Sequence, residues 1–394
     1  MLFLFKLLLW IPTAIICLNI LVLLVECLSA PWFKLSQISE NSTASSSVGI
    51  LIPAHNEAEC LGRTLSTLIP QVSNPKEILV IADNCTDQTE AIALANGVSV
   101  LTRTNTEKRG KGYALAYGLD HLHINPPDIL IMVDADCLVA DDAIRELTLK
   151  VMSTGRPVQA LYLMEKPTDP SPKDVISAFA FLVKNWVRPL GLKVLGLPCL
   201  LTGTGMGFPW DVINQVSLDH GNIVEDMQLG IDLALAGYPP VFLPTAKVTG
   251  ILPQKEQTAQ KQRKRWEHGH LQTIITQVPS LLTGAIAQRS PDLLALALDL
   301  SVPPLSVLVM FWSLTLFIAL IGGFALGVWL PALVLSVAGL LLLVAIITAW
   351  ANFGKAETPL KTLLMIPVYM LSKLTIYLSF LSKRESQWVK TERD

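Results

Sequence analysis

No charged residue occurs between Ser301 and Gly354, across "SVPPLSVLVMFWSLTLFIALIGGFALGVWLPALVLSVAGLLLLVAIITAWANFG". A water-soluble fold places charge on its outward faces, so an uncharged run of this length has to be covered by lipid. At about 20 residues per crossing, the run holds two spans joined around "IGGFALG". A second uncharged run, "LLLWIPTAIICLNILVLLV" from Leu7 to Val25, supplies an N-terminal anchor over residues 1–30. A cleaved signal peptide is the rival, since "CLSA" offers small residues near a cut, but the run exceeds a usual signal core and only Lys6 precedes it. Composition agrees with a membrane protein: 51% of residues are hydrophobic and 16% charged. A third stretch, residues 360–382, is apolar but interrupted by Pro367 and Lys373, which predicts a further transmembrane or interfacial helix. Residues 283–300 read as an interfacial segment, and residues 383–394 as a basic cytosolic tail.

Between anchor and span pair the chain changes character. A Ser/Thr-rich linker, residues 31–47, leads into short β-type runs: "VGILIPA", "EILVIAD", "VSVLT" and "DILIMVDA". Helical patterns alternate with them at 57–69, 87–96, 110–122 and 141–152. That alternation predicts an α/β domain over 48–282, built on a mostly parallel sheet whose ligands bind beyond the carboxyl ends of the strands. The net charge of −2 argues against nucleic acid as a partner. The six cysteines contain no C-x-x-C pair, which fits a reducing compartment and neither a zinc site nor a disulfide framework. No G-x-G-x-x-G, P-loop or G-x-S-x-G signature is present, so dehydrogenase, P-loop and α/β-hydrolase chemistries lack support.

What remains is acidic residues at strand ends with basic partners. Asp134 and Asp136 close the run "IMVDADCLVA". In an extended segment residues i and i+2 share a face, where two carboxylates repel unless a cation lies between them. A strand running into an acidic turn is the plainer alternative. Asp83 ends another strand, where a carboxylate can accept from uracil N–H or ribose hydroxyls; Asp87 reads as a helix cap. "KRGKGYAL" places Lys111 at a helix start within reach of a diphosphate, with a solvated helix start as the alternative. Glu225 and Asp226 open an amphipathic helix, a position the helix dipole also favours. Gln262, Arg265 and Trp266 form Q-x-x-R-W, a basic run with an embedded aromatic plane suited to a sugar ring.

Asp83, the "DAD" at Asp134 to Asp136, the "ED" of Glu225 and Asp226, and "QRKRW" stand in the order found in processive-type family 2 glycosyltransferases. The chain thus resembles the cellulose, hyaluronan and chitin synthase-like enzymes and the related ceramide glucosyltransferases over residues 48 to 280; "ILIPAHNE" is similar to the first strand of their GT-A fold. It departs from their pattern at "VED", in place of T-E-D, and at "LLTGTGMGF", in place of the acceptor segment F-F-C-G-S.

The resemblance implies an inverting transfer from a UDP-sugar of glucose or N-acetylglucosamine type to a growing polysaccharide, in exopolysaccharide synthesis with possible export partners. Its alternative acceptor is a lipid of ceramide or polyprenyl phosphate type; a non-catalytic membrane scaffold is the remaining reading. It further implies Mg²⁺ or Mn²⁺ on Asp136 and Asp134, with Asp134 also contacting the nucleotide, and the uridine on Asp83. Asp226 would be the general base, Gln262 and Arg265 would hold the diphosphate with Lys111, and Trp266 and Glu225 would face the acceptor. Because sugar nucleotides are cytosolic, the expected setting is the cytosolic face of a bacterial plasma membrane, in a multi-pass protein.

Overall fold

A computed structural model of the chain describes residues 2–34, 46–167, 169–218, 224–251 and 256–382. The expected basic tail and most of the expected linker lie outside the described residues. Eight strands form one sheet: β1 (Val48–Ala54), β2 (Ile78–Asp83), β3 (Ser99–Arg103), β4 (Ile129–Met132), β5 (Cys137–Val139), β6 (Val158–Glu165), β7 (Met206–Pro209) and β8 (Val241–Ile251), in the order β3-β2-β1-β4-β7-β6-β8-β5. The β1–β2, β2–β3, β1–β4 and β6–β8 pairs are parallel; β7 runs antiparallel to β4 and β6, and β5 to β8. The mostly parallel α/β architecture is thus as expected, and the first four strands fall on the four apolar runs. Of the intervening helices, Leu61–Leu68, Thr89–Ala95 and Lys111–Leu122 are shorter than their sequence patterns, while Ala143–Thr154 keeps the expected length and starts two residues later.

The sheet separates two cores by the two-residue period of its strands. Ile50, Ile52, Ile78, Val80, Ile129 and Ile131 face Leu61, Leu65, Ile144 and Leu147. Leu51, Leu79, Ile81, Leu130 and Met132 face the opposite way, against Leu115, Leu119, Leu229 and Leu233. Every residue of β2 is buried, so its carboxyl end emerges from the middle of the domain rather than its rim.

Four helices among the described residues are long and apolar enough to cross a membrane: Leu7–Trp32, Pro172–Val194, Leu305–Leu326 and Leu330–Gly354. Three coincide with the charge-free runs. Pro172–Val194 was not anticipated, because Lys173, Asp174, Lys184, Arg188 and Lys193 mask its apolar face in the sequence. It starts at a capping box in which Ser171 Oγ accepts from Asp174 N–H (3.3 Å) and Asp174 Oδ2 accepts from Ser171 N–H (3.1 Å). The 360–382 stretch forms two helices, Leu360–Leu363 and Ile366–Ser382, and is not among the four.

A third core binds the spans to the sheet domain: Ile16, Ile20, Leu23, Leu335 and Leu342 pack with Phe179, Val183, Val187, Leu190 and Phe242. At its edge Arg188 donates from Nε to Glu26 Oε2 (2.7 Å) and from an η nitrogen to Asp299 Oδ1 (2.5 Å). Gly191 sits directly against this pair; a Cβ there would lie 2.0 Å from the Glu26 carbonyl oxygen, so the two helices meet backbone to backbone. Removing one member leaves a buried charge without its partner. Arg188→Ala should therefore cost about 3–5 kcal/mol, read as a lowered unfolding midpoint of the detergent-solubilised chain; an unchanged midpoint would show that the triad is not holding the domain to its anchor.

Candidate active site

The site forms where β1, β2 and β4 end and the chain turns. Asp83, at the last position of β2, is buried and bonded to Arg103 on β3 at 2.5 Å, while Asn84 Nδ2 donates to the same carboxylate oxygen at 3.0 Å. His55, just past β1, donates from Nδ1 to the Asp83 carbonyl at 2.6 Å. Arg103 went unremarked in the sequence, although it ends an apolar run one strand away from Asp83. Asp87 lies one residue before the helix N-cap, Gln88, where it accepts from Thr89 N–H at 3.0 Å and from Ala58 N–H at 3.1 Å.

Asp134 and Asp136 do converge, by a different route from the one expected. β4 ends at Met132, and the chain turns so that Cys137 N–H donates to the Asp134 carbonyl at 3.2 Å. A tight turn, rather than the shared face of a strand, brings ligand atoms of Asp134, Asp136 and Cys137 within 4.8 Å of one another. Burial pushes the Cys137 thiol well above its ordinary pKa, and a soft sulfur suits a hard cation poorly. The hard oxygen donors that remain fit Mg²⁺ or Mn²⁺.

Lys111 stands at the centre. Its ammonium lies 2.6 Å from Asp134 Oδ1 and 3.8 Å from Glu225 Oε1, and donates to the Gly203 carbonyl at 2.6 Å. Burial alone would favour the neutral amine, but Asp134 and Glu225 outweigh it and raise the Lys111 pKa. Gly203 has φ +99°, and a Cβ there would come within 3.1 Å of Asp226 Oδ2, so this position accommodates the approach of the acidic helix start only as glycine.

The Gly203 segment is fixed by Gln159, a buried polar residue within apolar β6. It accepts from Thr202 N–H at 2.8 Å and donates to the Thr204 carbonyl at 2.9 Å, while Thr204 Oγ1 accepts from Asp134 N–H at 3.0 Å. Gln159 was missed in the sequence, where a lone polar residue in "VQALYLME" was the available signal.

Gln262, Arg265 and Trp266 lie on the Glu256–Gln288 helix, and their i, i+3, i+4 spacing gives them one face. Their neighbours turn aside: Arg263 pairs with Asp174 at 3.6 Å and Glu267 with Lys373. The Trp266 ring lies 6.0 Å from that of Phe181. One cavity of about 350 Å³ is lined by Asp83, Lys111, Asp134, Asp136, Glu225, Asp226, Gln262, Arg265 and Trp266 together. It continues past them to Leu23 and Leu305, on two of the membrane-length helices.

Burial raises the Glu225 carboxyl to about 7, with Asp226 adding to the shift and Lys111 opposing it. The folded chain then holds a proton that the unfolded chain has released, between the ordinary 4.5 and about 7, and loses this stabilisation as pH rises through that window. In chelator, the unfolding midpoint should fall from about pH 5 to about pH 8, and Glu225→Gln should flatten the fall. An identical slope in the variant would assign it to other groups.

Residues 45–269, more than half of the chain, match the family model described as "Glycosyltransferase like family 2". Among curated proteins the chain is similar to an uncharacterized glycosyltransferase of Escherichia coli, YaiP, at 24% identity over 64% of this chain and 61% of that one. It is similar also to a probable glycosyltransferase of Bacillus subtilis, YdaM, at 26% identity over 60% of this chain and 58% of that one. The matches thus span about three fifths of these relatives' length. Among solved structures, the mannosyltransferase PcManGT of Pyrobaculum calidifontis, in complex with GDP-Man and Mn²⁺, superposes with a TM-score of 0.56 at 18% identity, covering 96% of this chain and all of that one. That likeness is one of fold. By its family match and its GT-A architecture, the chain belongs to glycosyltransferase family 2.

Proposed function

We propose that the chain is a metal-dependent, inverting hexosyltransferase that takes a sugar from a UDP-sugar and joins it to an acceptor hydroxyl at the cytosolic face of a membrane. The observation that carries this reading is the single cavity in which the paired aspartates, Asp226 and the Q-x-x-R-W face meet. Displacement at an anomeric carbon needs a base on the acceptor side and charge neutralisation on the leaving diphosphate, and the cavity has residues for each.

The uridine end lies against Asp83, whose carboxylate Arg103 orients. Arg265 and Gln262 take the diphosphate. The Arg265 Nε–H is buried and without a partner among the described residues, a donor whose desolvation calls for an acceptor such as a phosphate oxygen. A bound Mg²⁺ or Mn²⁺ at Asp134 and Asp136 would neutralise charge developing on the leaving group. Asp226 receives the proton of the acceptor hydroxyl as that oxygen bonds to the anomeric carbon and the bond to the diphosphate breaks. The departing nucleotide keeps the electron pair, and one such displacement inverts the anomeric centre. Lys111 keeps Asp134 and the Gly203 segment in register with the base, and Trp266 offers a plane for the acceptor.

The membrane setting rests on the Leu7–Trp32, Leu305–Leu326 and Leu330–Gly354 helices. The last two form a hairpin that returns the chain to the catalytic side, where nucleotide sugars are made.

Transfer by the purified chain, measured with labelled nucleotide sugars, tests the assignment. Asp226→Asn keeps shape but takes no proton, so kcat should fall by at least about 10²-fold while UDP binding persists. Loss of UDP binding with normal turnover would move the base elsewhere. Arg265→Lys keeps the charge but loses the planar fork, so the KM for the donor should rise about tenfold; a wild-type KM would make the basic run a lipid-facing patch instead.

A further inference from the structure

Resting on the reading above, we propose that the acceptor is a membrane lipid with an uncharged, hydroxyl-bearing headgroup, which enters the cavity from the bilayer and is held by Asn185, Thr202, Glu267 and His270. The lining of the catalytic cavity extends beyond Asp226 and Trp266 to Leu23, within one membrane-length helix, and to Pro304 and Leu305, at the start of another. An acyl chain meets lipid-like surface there.

The lining of this cavity also carries unsatisfied polar atoms. Asn185 Oδ1, Thr202 Oγ1, Glu267 Oε2 and His270 Nε2 are buried, belong to residues lining the cavity, and have no partner among the described residues. Buried polar atoms without partners are costly, and a cluster of them around one space marks a ligand that satisfies them. Burial holds the His270 imidazole far below its ordinary pKa and so neutral, and a neutral ring can offer a lone pair at its unpartnered Nε2.

Asn185 lies in a π-helical turn, Val183–Val187, that interrupts an otherwise regular helix at the cavity wall, a local widening that recurs at functional sites. Thr202 adjoins Gly203, which abuts Asp226, and the neighbouring Lys184 is in electrostatic contact with Asp226. This part of the cluster is therefore next to the base.

Its chemistry selects the headgroup. The amide oxygen, carboxylate oxygen and imidazole nitrogen all accept hydrogen bonds, and hydroxyls donate them. A phosphate headgroup would set oxygen lone pairs against these lone pairs. Of the cations lining the cavity here, Arg188 is committed to Glu26 and Asp299, Lys373 to Glu267 and Arg263 to Asp174, while Lys184 lies in the field of Asp226.

The test uses the full chain in lipid nanodiscs with photoactivatable diacylglycerol, ceramide and polyprenyl phosphate. At least one neutral lipid should crosslink to peptides around Asn185 or His270, and excess polyprenyl phosphate should not displace it. Asn185→Leu and His270→Phe should each lower that labelling about tenfold, His270→Gln should restore part of it, and UDP binding should remain unchanged. Labelling by polyprenyl phosphate instead, displacement by a soluble oligosaccharide, no cavity labelling, or labelling unaffected by the variants would each overturn the proposal. A wild-type chain that binds no UDP would instead remove the transferase reading beneath it.

Discussion

Carboxylates gathered at one edge of a sheet repel one another, and Lys111 is the half-buried charge that allows this gathering. It meets Asp134 and Glu225 and also holds the Gly203 carbonyl, 92 residues away in sequence. Three separate segments are thereby tied together: the turn after β4, the glycine-containing strand approach to β7, and the start of the Glu225–Leu235 helix. At short range in a desolvated site such contacts are strong, yet each charge pays its desolvation, so the arrangement depends on every partner being present. Asp226 stays at the edge of this cluster, facing the cavity, where a proton acceptor is useful.

A second cation does for the membrane what Lys111 does for the site. Arg188 joins a membrane-length helix through Glu26 to the Pro291–Ser301 helix through Asp299. The helix that carries Arg188 also carries Asn185 and its π turn, and packs against Trp266 through Phe181. The N-terminal helix, the cavity wall and Trp266 thus form one packed unit, which joins the sheet domain to the membrane-length helices. The Ile366–Ser382 helix docks onto the same unit through Lys373 and Glu267.

Much of this was legible in the sequence because it depends on local pattern. Apolar runs named the first four strands, uncharged runs named three of the membrane-length helices, and acidic residues at strand ends named the side of the sheet on which the cavity lies. The i, i+3, i+4 spacing of Gln262, Arg265 and Trp266 carried their common face. What escaped notice depends on contacts between distant segments. Arg103 gains meaning only when β3 lies beside β2, and Gln159 only when it meets Thr202, 43 residues on. The convergence of Asp134 and Asp136 was foreseen on the wrong geometry, since the length of β4 is set by its partners and not by its own composition. The Pro172–Val194 helix was hidden because its charges, read alone, look like solvent exposure, whereas Arg188 is buried in an ion-pair triad.

The most direct measurement is an experimental structure of the full chain with UDP and Mn²⁺. The account predicts the metal between Asp134, Asp136 and the diphosphate, the uridine beside Asp83, Arg265 on the phosphate oxygens, and Asp226 facing open cavity on the opposite side. Nucleotide bound outside this cavity, or Asp226 buried beneath the nucleotide away from any acceptor path, would contradict it.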